Sequence, residues 1–268
     1  MKIATFNVNS VRARLEILQR WLVDANPDLL FLQETKTQDE FFPELFFEEL
    51  NYKSYFHGEK SYNGVAALVK KNFLEAGNIS VNFGFNDGLD ENNFDTRVLD
   101  CKLKIANVNL EILNTYVPQG KEITHSDFQV KKKFFARVKK FLERENRLNE
   151  KFLWLGDLNV AAENIDVTNP QNKLNHVCFC QEIREIFANT KSGLVDLLRK
   201  FHGNQEIYTF YDYRVKNALQ RKIGWRIDYI FASEKFAEYA KSCEVDINPR
   251  VCERPSDHVP VIAEFIGV

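Results

Sequence analysis

Short apolar runs, each closed by a polar residue, punctuate this chain and limit what it can become. Ile3–Phe6 is followed by Asn7, Leu29–Leu32 by Gln33 and Glu34, and Phe152–Leu155 by Gly156 and Asp157. Continuous apolar runs of about four to eight residues have the length of buried strands. None approaches the ~18 residues that a membrane-spanning helix needs. Between them lie stretches of helical period. Val11, Leu15, Leu18 and Leu22 recur at spacings of three and four, with Asn9 or Ser10 as the expected cap. Phe134, Val138, Phe141 and Leu142 mark a second helix within about residues 125–149. Ile227–Ala232 and Val259–Phe265 close the chain as strands. The expected fold class is α/β, with two sheets packed face to face and helices outside. No linker rich in Pro, Gly or Ser divides the 268 residues, so one domain over 1–268 is expected.

Composition narrows the partners. Apolar residues make up 44% and charged residues 28%, ordinary for a globular chain and unlike collagen, coiled coil or disorder. The net charge is −2, so any binding to nucleic acid must come from a local patch. Phe210–Arg226 is such a patch: five basic residues stand against the single acid Asp212, with aromatics interleaved. The run Lys131–Lys140 is denser, with six basic residues and no acid, but it lies on the second helix and is expected as a solvated face. Five cysteines without a C-x-x-C pair read as free thiols in a reducing compartment. With no signal peptide before the first strand and no membrane segment, a cytoplasmic location is expected.

The polar residues beside the apolar runs carry the functional signal. Asn7, Glu34, Tyr116, Asp157 and Asn159 follow such runs, and Asp257 and His258 precede the last one. If these strands are neighbours, the polar residues share one rim, where ligands collect. Taken singly, Asp157 after a glycine also reads as a helix cap or turn residue, Glu34 before Thr35 and Lys36 as a solvated charge, and the adjacent Asp257 and His258 as strand residues facing opposite ways. Asp228 is different. A carboxylate flanked by Ile227, Tyr229, Ile230 and Phe231 is expected to be buried and to need a partner.

The segments FNVNSVRAR (Phe6–Arg14), LQETK (Leu32–Lys36), TYVPQG (Thr115–Gly120), GDLN (Gly156–Asn159), GWRIDY (Gly224–Tyr229) and SDHVP (Ser256–Pro260) occur in this order. Together they resemble the exonuclease III family of apurinic/apyrimidinic endonucleases, within the endonuclease/exonuclease/phosphatase superfamily. The resemblance implies a four-layer α/β sandwich, two mixed β-sheets flanked by helices. It implies a Mg²⁺-dependent DNA repair nuclease, with Mn²⁺ as the alternative metal, acting as a monomer on duplex DNA. The bond cut is the phosphodiester 5′ to an abasic site. Many members also act as 3′-phosphatases, 3′-phosphodiesterases and 3′–5′ exonucleases.

Joined to the chemistry of phosphodiester hydrolysis, the resemblance suggests roles for this chain's residues. Glu34 is the first candidate metal ligand, with Asp257, Asn7, Asp157 and Asn159 completing the shell directly or through water. Asp157 handles a proton, as base or as acid. His258 donates to a phosphate oxygen, Asp228 holds its imidazole, and Tyr116 donates a phenol proton. Phe210, Trp225 and Ile227 match the pocket for the base-less sugar. Arg97, Gln119, Lys121, Arg214, Lys216 and Arg226 are the expected DNA contacts. Two other readings stand beside this one: a superfamily phosphodiesterase acting on RNA or inositol phosphates, and a non-catalytic DNA-binding module.

Overall fold

The computed structural model describes residues 1–75, 77–89, 91–105, 108–144, 148 and 150–267, without the side chains of 91–93. Two six-stranded sheets form the centre. Strands β1 (Lys2–Asn7), β2 (Leu29–Gln33), β3 (Tyr52–His57) and β4 (Val65–Lys70) belong to the first. Strands β5 (Gly77–Phe83), β6 (Val98–Ile105), β7 (Val108–Tyr116), β8 (Phe152–Asp157), β9 (Leu194–Asp196) and β10 (Asp228–Ser233) make the second. The chain then returns to the first sheet through β11 (Ala240–Val245) and β12 (Val261–Phe265). The spatial orders are β11-β12-β1-β2-β4-β3 and β5-β6-β7-β8-β10-β9. Both sheets are mixed: β1 and β2 run parallel, as do β7 and β8, and the other pairs are antiparallel.

The unbroken apolar runs follow from burial on both faces. Ile3, Leu29 and Phe31 point between the sheets, where they meet Leu99, Cys101, Leu153, Leu155 and Ile230. Their alternates Ala4, Phe6, Leu30 and Leu32 point outward, onto α1 (Leu15–Ala25) and α2 (Glu44–Glu49) through Leu18, Trp21, Leu22 and Phe47. On the second sheet, Phe152, Trp154 and Phe231 face Phe134, Phe135, Val138 and Phe187. Those residues come from α4 (Ser126–Glu143) and α5 (Gln181–Thr190); α3 (Lys71–Glu75), α6 (Leu197–His202) and α7 (Glu234–Ala237) are short. Helix, sheet, sheet and helix make the four layers the sequence implies.

Local differences from the sequence reading have clear causes. Asn9 and Ser10 do not cap α1; both have positive φ, and a 3₁₀ turn at Arg12–Arg14 comes first. Asn9 turns its side chain toward Asp257 and Lys36 instead. The basic face of α4 is not wholly solvated. Lys131 is fully buried, and Arg137 forms an ion pair with Asp87 and lies over the Phe85 ring. Lys131 sits three residues after Phe128 and three and four before Phe134 and Phe135, so the helical period puts it on the apolar stripe.

At the end of β8, Gly156 adopts φ +128°, and a Cβ there would lie 2.0 Å from the carbonyl oxygen of Thr115 on β7. The close approach of β7 and β8 just before Asp157 therefore requires glycine. Gly156→Ala should destabilise the protein by more than ~1 kcal/mol, because a positive φ and a backbone clash coincide. Urea unfolding checks this; an unchanged midpoint would contradict the packing described.

Candidate active site

Strand register brings the polar residues together. Asn7 pairs across β1–β2 with Gln33, the residue before Glu34. On the other sheet Tyr116 and Asp228 both pair with Asp157. The ends of β1, β2, β7 and β8 and the start of β10 thus meet at one rim. Residues 209–211 run beside 257–259: Tyr211 N–H donates to Asp257 O at 2.7 Å, and Val259 N–H to Thr209 O at 2.8 Å. The Ser256 hydroxyl donates to Asn7 O at 2.7 Å and accepts from His258 N–H at 3.2 Å, tying this segment to β1.

The Asn7 amide bridges the two sheets. Its Nδ2 donates to Glu34 Oε1 at 2.8 Å and to Asp157 Oδ2 at 2.9 Å. Glu34 also meets Lys36 Nζ at 2.7 Å. Burial works to raise the Glu34 pKa, but the Lys36 ammonium and the Asn7 amide outweigh it and hold the carboxyl below its ordinary range. Asp157 is the opposite case. Burial pushes it up to about 8, helped by the Asp228 and Glu34 charges and opposed by the His258 cation and the Asn7 amide. Asn159 supports the same carboxylate, with N–H on Oδ1 at 3.0 Å and Nδ2 on Oδ2 at 3.2 Å.

His258 is buried between acids. Its Nδ1 lies 2.9 Å from Asp228 Oδ2, and Nε2 lies 3.8 Å from Asp157 Oδ2. Burial alone would lower its pKa, but Asp228 and Asp157 raise it to about 10, so the ring is an imidazolium at neutral pH. Asp228 is held in turn by the Thr209 hydroxyl, which donates to Oδ2 at 2.6 Å. Burial and the neighbouring Glu34 push Tyr116 well above the ordinary phenol range, so it remains a donor.

Glu34, Asp157 and His258 form a group whose ligand atoms lie within 4.8 Å of one another. Asp257, expected as a ligand, is not part of that group; it lines the adjoining cavity and accepts from Asn9 Nδ2 at 3.0 Å. The cavity, about 560 Å³, is walled by Phe210, Trp225 and Ile227, with Glu34, Tyr116, Asn159 and His258 on its polar side. Phe210 packs edge-on to the His258 ring at 4.9 Å, and His176 lies 4.7 Å from Trp225.

Of the expected DNA contacts, Gln119 and Arg214 line this cavity, and Arg97, Gln119 and Lys121 line a groove beside it. Lys216 is exposed and lines neither. Arg226 is the correction. Its side chain is 2% exposed, with Nε 2.6 Å from Asp166 Oδ1 and Nη1 2.7 Å from Asp196 Oδ2. A guanidinium buried between two carboxylates has no reach to a phosphate. Residues the sequence reading passed over include Lys36, His176, Cys178 and Thr209. The spacing Thr209-Phe210 beside a buried Asp228 holds no local signal for the first of that pair, because its partner lies 19 residues away.

Asp228→Asn should move the His258 titration down from about 10 toward the ordinary histidine value, because the charge that most raises it is removed. NMR titration of the imidazole resonances reads this; an unmoved midpoint would remove Asp228 from that role.

Comparison with known proteins identifies the family and the fold. The Endonuclease/Exonuclease/phosphatase family matches residues 4–258. Exodeoxyribonuclease III of Haemophilus influenzae is 32% identical, over 99% of this chain and 100% of the relative. An AP endonuclease structure from Archaeoglobus fulgidus superposes with TM-score 0.89 at 43% identity, covering 99% of each chain. A 3′–5′ exonuclease from Neisseria meningitidis gives TM-score 0.89 at 34% identity, again over 99% of each chain. The chain therefore belongs to the endonuclease/exonuclease/phosphatase family, in its exonuclease III branch of apurinic/apyrimidinic endonucleases.

Proposed function

We propose that this chain is a divalent-metal-dependent DNA repair nuclease. It hydrolyses the phosphodiester 5′ to an abasic site and acts at 3′ ends of duplex DNA as a 3′-phosphatase, 3′-phosphodiesterase and 3′–5′ exonuclease. The observation that carries the reading is one rim holding both an acid–imidazole group and an aromatic-walled cavity. The names of its relatives, AP endonuclease and exonuclease, support the same substrate class.

The residues fit a hard cation. Glu34 and Asp157 offer carboxylate oxygens, and Glu34 is held ionised. They would hold Mg²⁺ or Mn²⁺, with Asp257 reached directly or through water; Asn7 and Asn159, expected as ligands, instead turn amide N–H groups toward the carboxylates and orient them. Such an ion supplies charge stabilisation for the phosphate and the leaving oxygen.

The chain's own groups do the rest. The His258 imidazolium donates from Nε2 toward a non-bridging phosphate oxygen, where negative charge grows. Tyr116 keeps its phenol proton and donates a hydrogen bond nearby. Water's oxygen bonds to phosphorus as the P–O3′ bond breaks, and a proton ends on O3′. Asp157, whose titration lies near neutrality, is the group suited to exchange that proton. A sugar without a base leaves the stack at little cost and fits beside Phe210, Trp225 and Ile227. Arg97, Gln119, Lys121, Arg214 and Lys216 supply backbone contacts. No helix among the described residues is long and apolar enough to cross a membrane, and the five cysteines are free. Free thiols suit a reducing compartment, and the chain is taken to work in the cytoplasm as a monomer.

EDTA should abolish nicking of a synthetic abasic duplex, and Mg²⁺ should restore it. Glu34→Ala, Asp157→Asn and His258→Ala should each stay folded and lose about 10²-fold or more in kcat. Gel-based turnover on abasic, 3′-phosphate and blunt duplexes, with inositol phosphate as the control, reads both. Turnover confined to inositol phosphate would favour another phosphodiesterase, and none at all a binding module. Phe210→Ala should lose more abasic-site cleavage than exonuclease turnover in the same assay; equal losses would count against the pocket.

A further inference from the structure

Lys131 is a buried cation that the mechanism above does not use. It projects from the inward stripe of α4 and has no exposed surface. Its ammonium donates to Asn159 O at 2.7 Å, Val177 O at 2.9 Å and Gln119 O at 3.1 Å. Cys178 Sγ lies 3.7 Å away. These carbonyls come from three separate loops, after β7, after β8 and before α5. Gln119, Asn159 and Cys178, on those same loops, all line the cavity beside Glu34 and His258. Each of the three N–H donors of one lysine thus fixes one wall segment.

The Asn159 contact reaches furthest. Asn159 sits at φ +50°, a conformation unusual for a residue with a side chain. In that conformation its backbone N–H and its amide both hold the Asp157 carboxylate. Lys131 grips the carbonyl of the same residue. An unbroken line of hydrogen bonds therefore runs from α4 through Asn159 to Asp157. An apolar side chain would fill the space between Phe128 and Phe134 without making any of these bonds.

We propose that Lys131 is a positioning residue for Asp157 and for the cavity wall, acting through Asn159, Val177 and Gln119 without touching substrate. The part of this that concerns turnover rests on the nuclease reading above. A displacement of about 1 Å at a reacting group costs of order 10²-fold in rate. Lys131→Met keeps the length and removes the donors. It should lower kcat on the abasic duplex by about 10- to 100-fold, with KM changed less than about threefold. Lys131→Arg should recover most of that loss.

Hydrogen exchange gives a readout independent of activity. In Lys131→Met, amides of residues 157–161 and 176–179 should exchange faster, while those of β2 and β12 stay unchanged. A folded Lys131→Met with unchanged exchange in those loops, or with kcat within twofold of wild type, overturns the proposal. So does exchange that rises uniformly. If Lys131→Met does not fold, Lys131→Gln is compared with Lys131→Arg: a kcat at least tenfold lower for Gln at similar KM supports positioning, and equal kcat overturns it. A wild type that does not cut abasic DNA overturns the nuclease reading instead, and the exchange pattern then decides the role of Lys131.

Discussion

Glu34 and Asp157 come from different sheets and lie, Asp157 buried and Glu34 partly so, within reach of the same imidazole, an arrangement that like-charge repulsion and desolvation both oppose. The Asn7 amide is what makes it tenable, since one NH₂ group donates to both carboxylates. Only the nitrogen end of that amide can face two acceptors, so its orientation is determined by its neighbours. The rest of the fold serves this bridge. β1 must lie centrally in its sheet, parallel to β2, and that sheet must pack on β8 at a separation a short side chain can span.

Charge is then divided unequally among the three groups. Asp228 makes His258 a cation, and Lys36 keeps Glu34 an anion. For Asp157, burial and the Asp228 and Glu34 charges outweigh the His258 cation and the amide donors, so it titrates closest to neutrality. Two carboxyl groups a few ångströms apart thus differ in protonation because one pairs with a lysine while the other is fully buried beside two further carboxylates. Perturbed groups clustered in a cleft mark a site of chemistry.

A second ionic group stands behind the cavity wall. Arg226 and Arg199 share Asp166, and Arg226 also reaches Asp196. Along an extended segment alternate side chains face opposite ways. Trp225 and Ile227 therefore line the cavity while Arg226 points into the interior between them. Removing one partner of such a buried pair typically costs ~3–5 kcal/mol, so the network constrains the wall as well as the core.

Much of this was legible in the residues themselves. Run length and period are local properties, so the strands, the two long helices and their layering could be read from Ile3–Phe6, Leu29–Leu32, Phe152–Leu155 and the Phe134–Leu142 stripe. The same holds for the burial of Asp228 and the need for a partner, because a carboxylate inside an apolar strand cannot be left bare. Direction and distance were decided only by the tertiary structure. The sequence shows Arg226 in a basic neighbourhood, yet two acids 60 and 30 residues away turn it inward. Lys131 stands in a row of lysines, yet carbonyls on three distant loops make it a core residue. Charge is written in the chain, but whether a charge meets solvent or a buried partner depends on long-range packing, which no local pattern encodes.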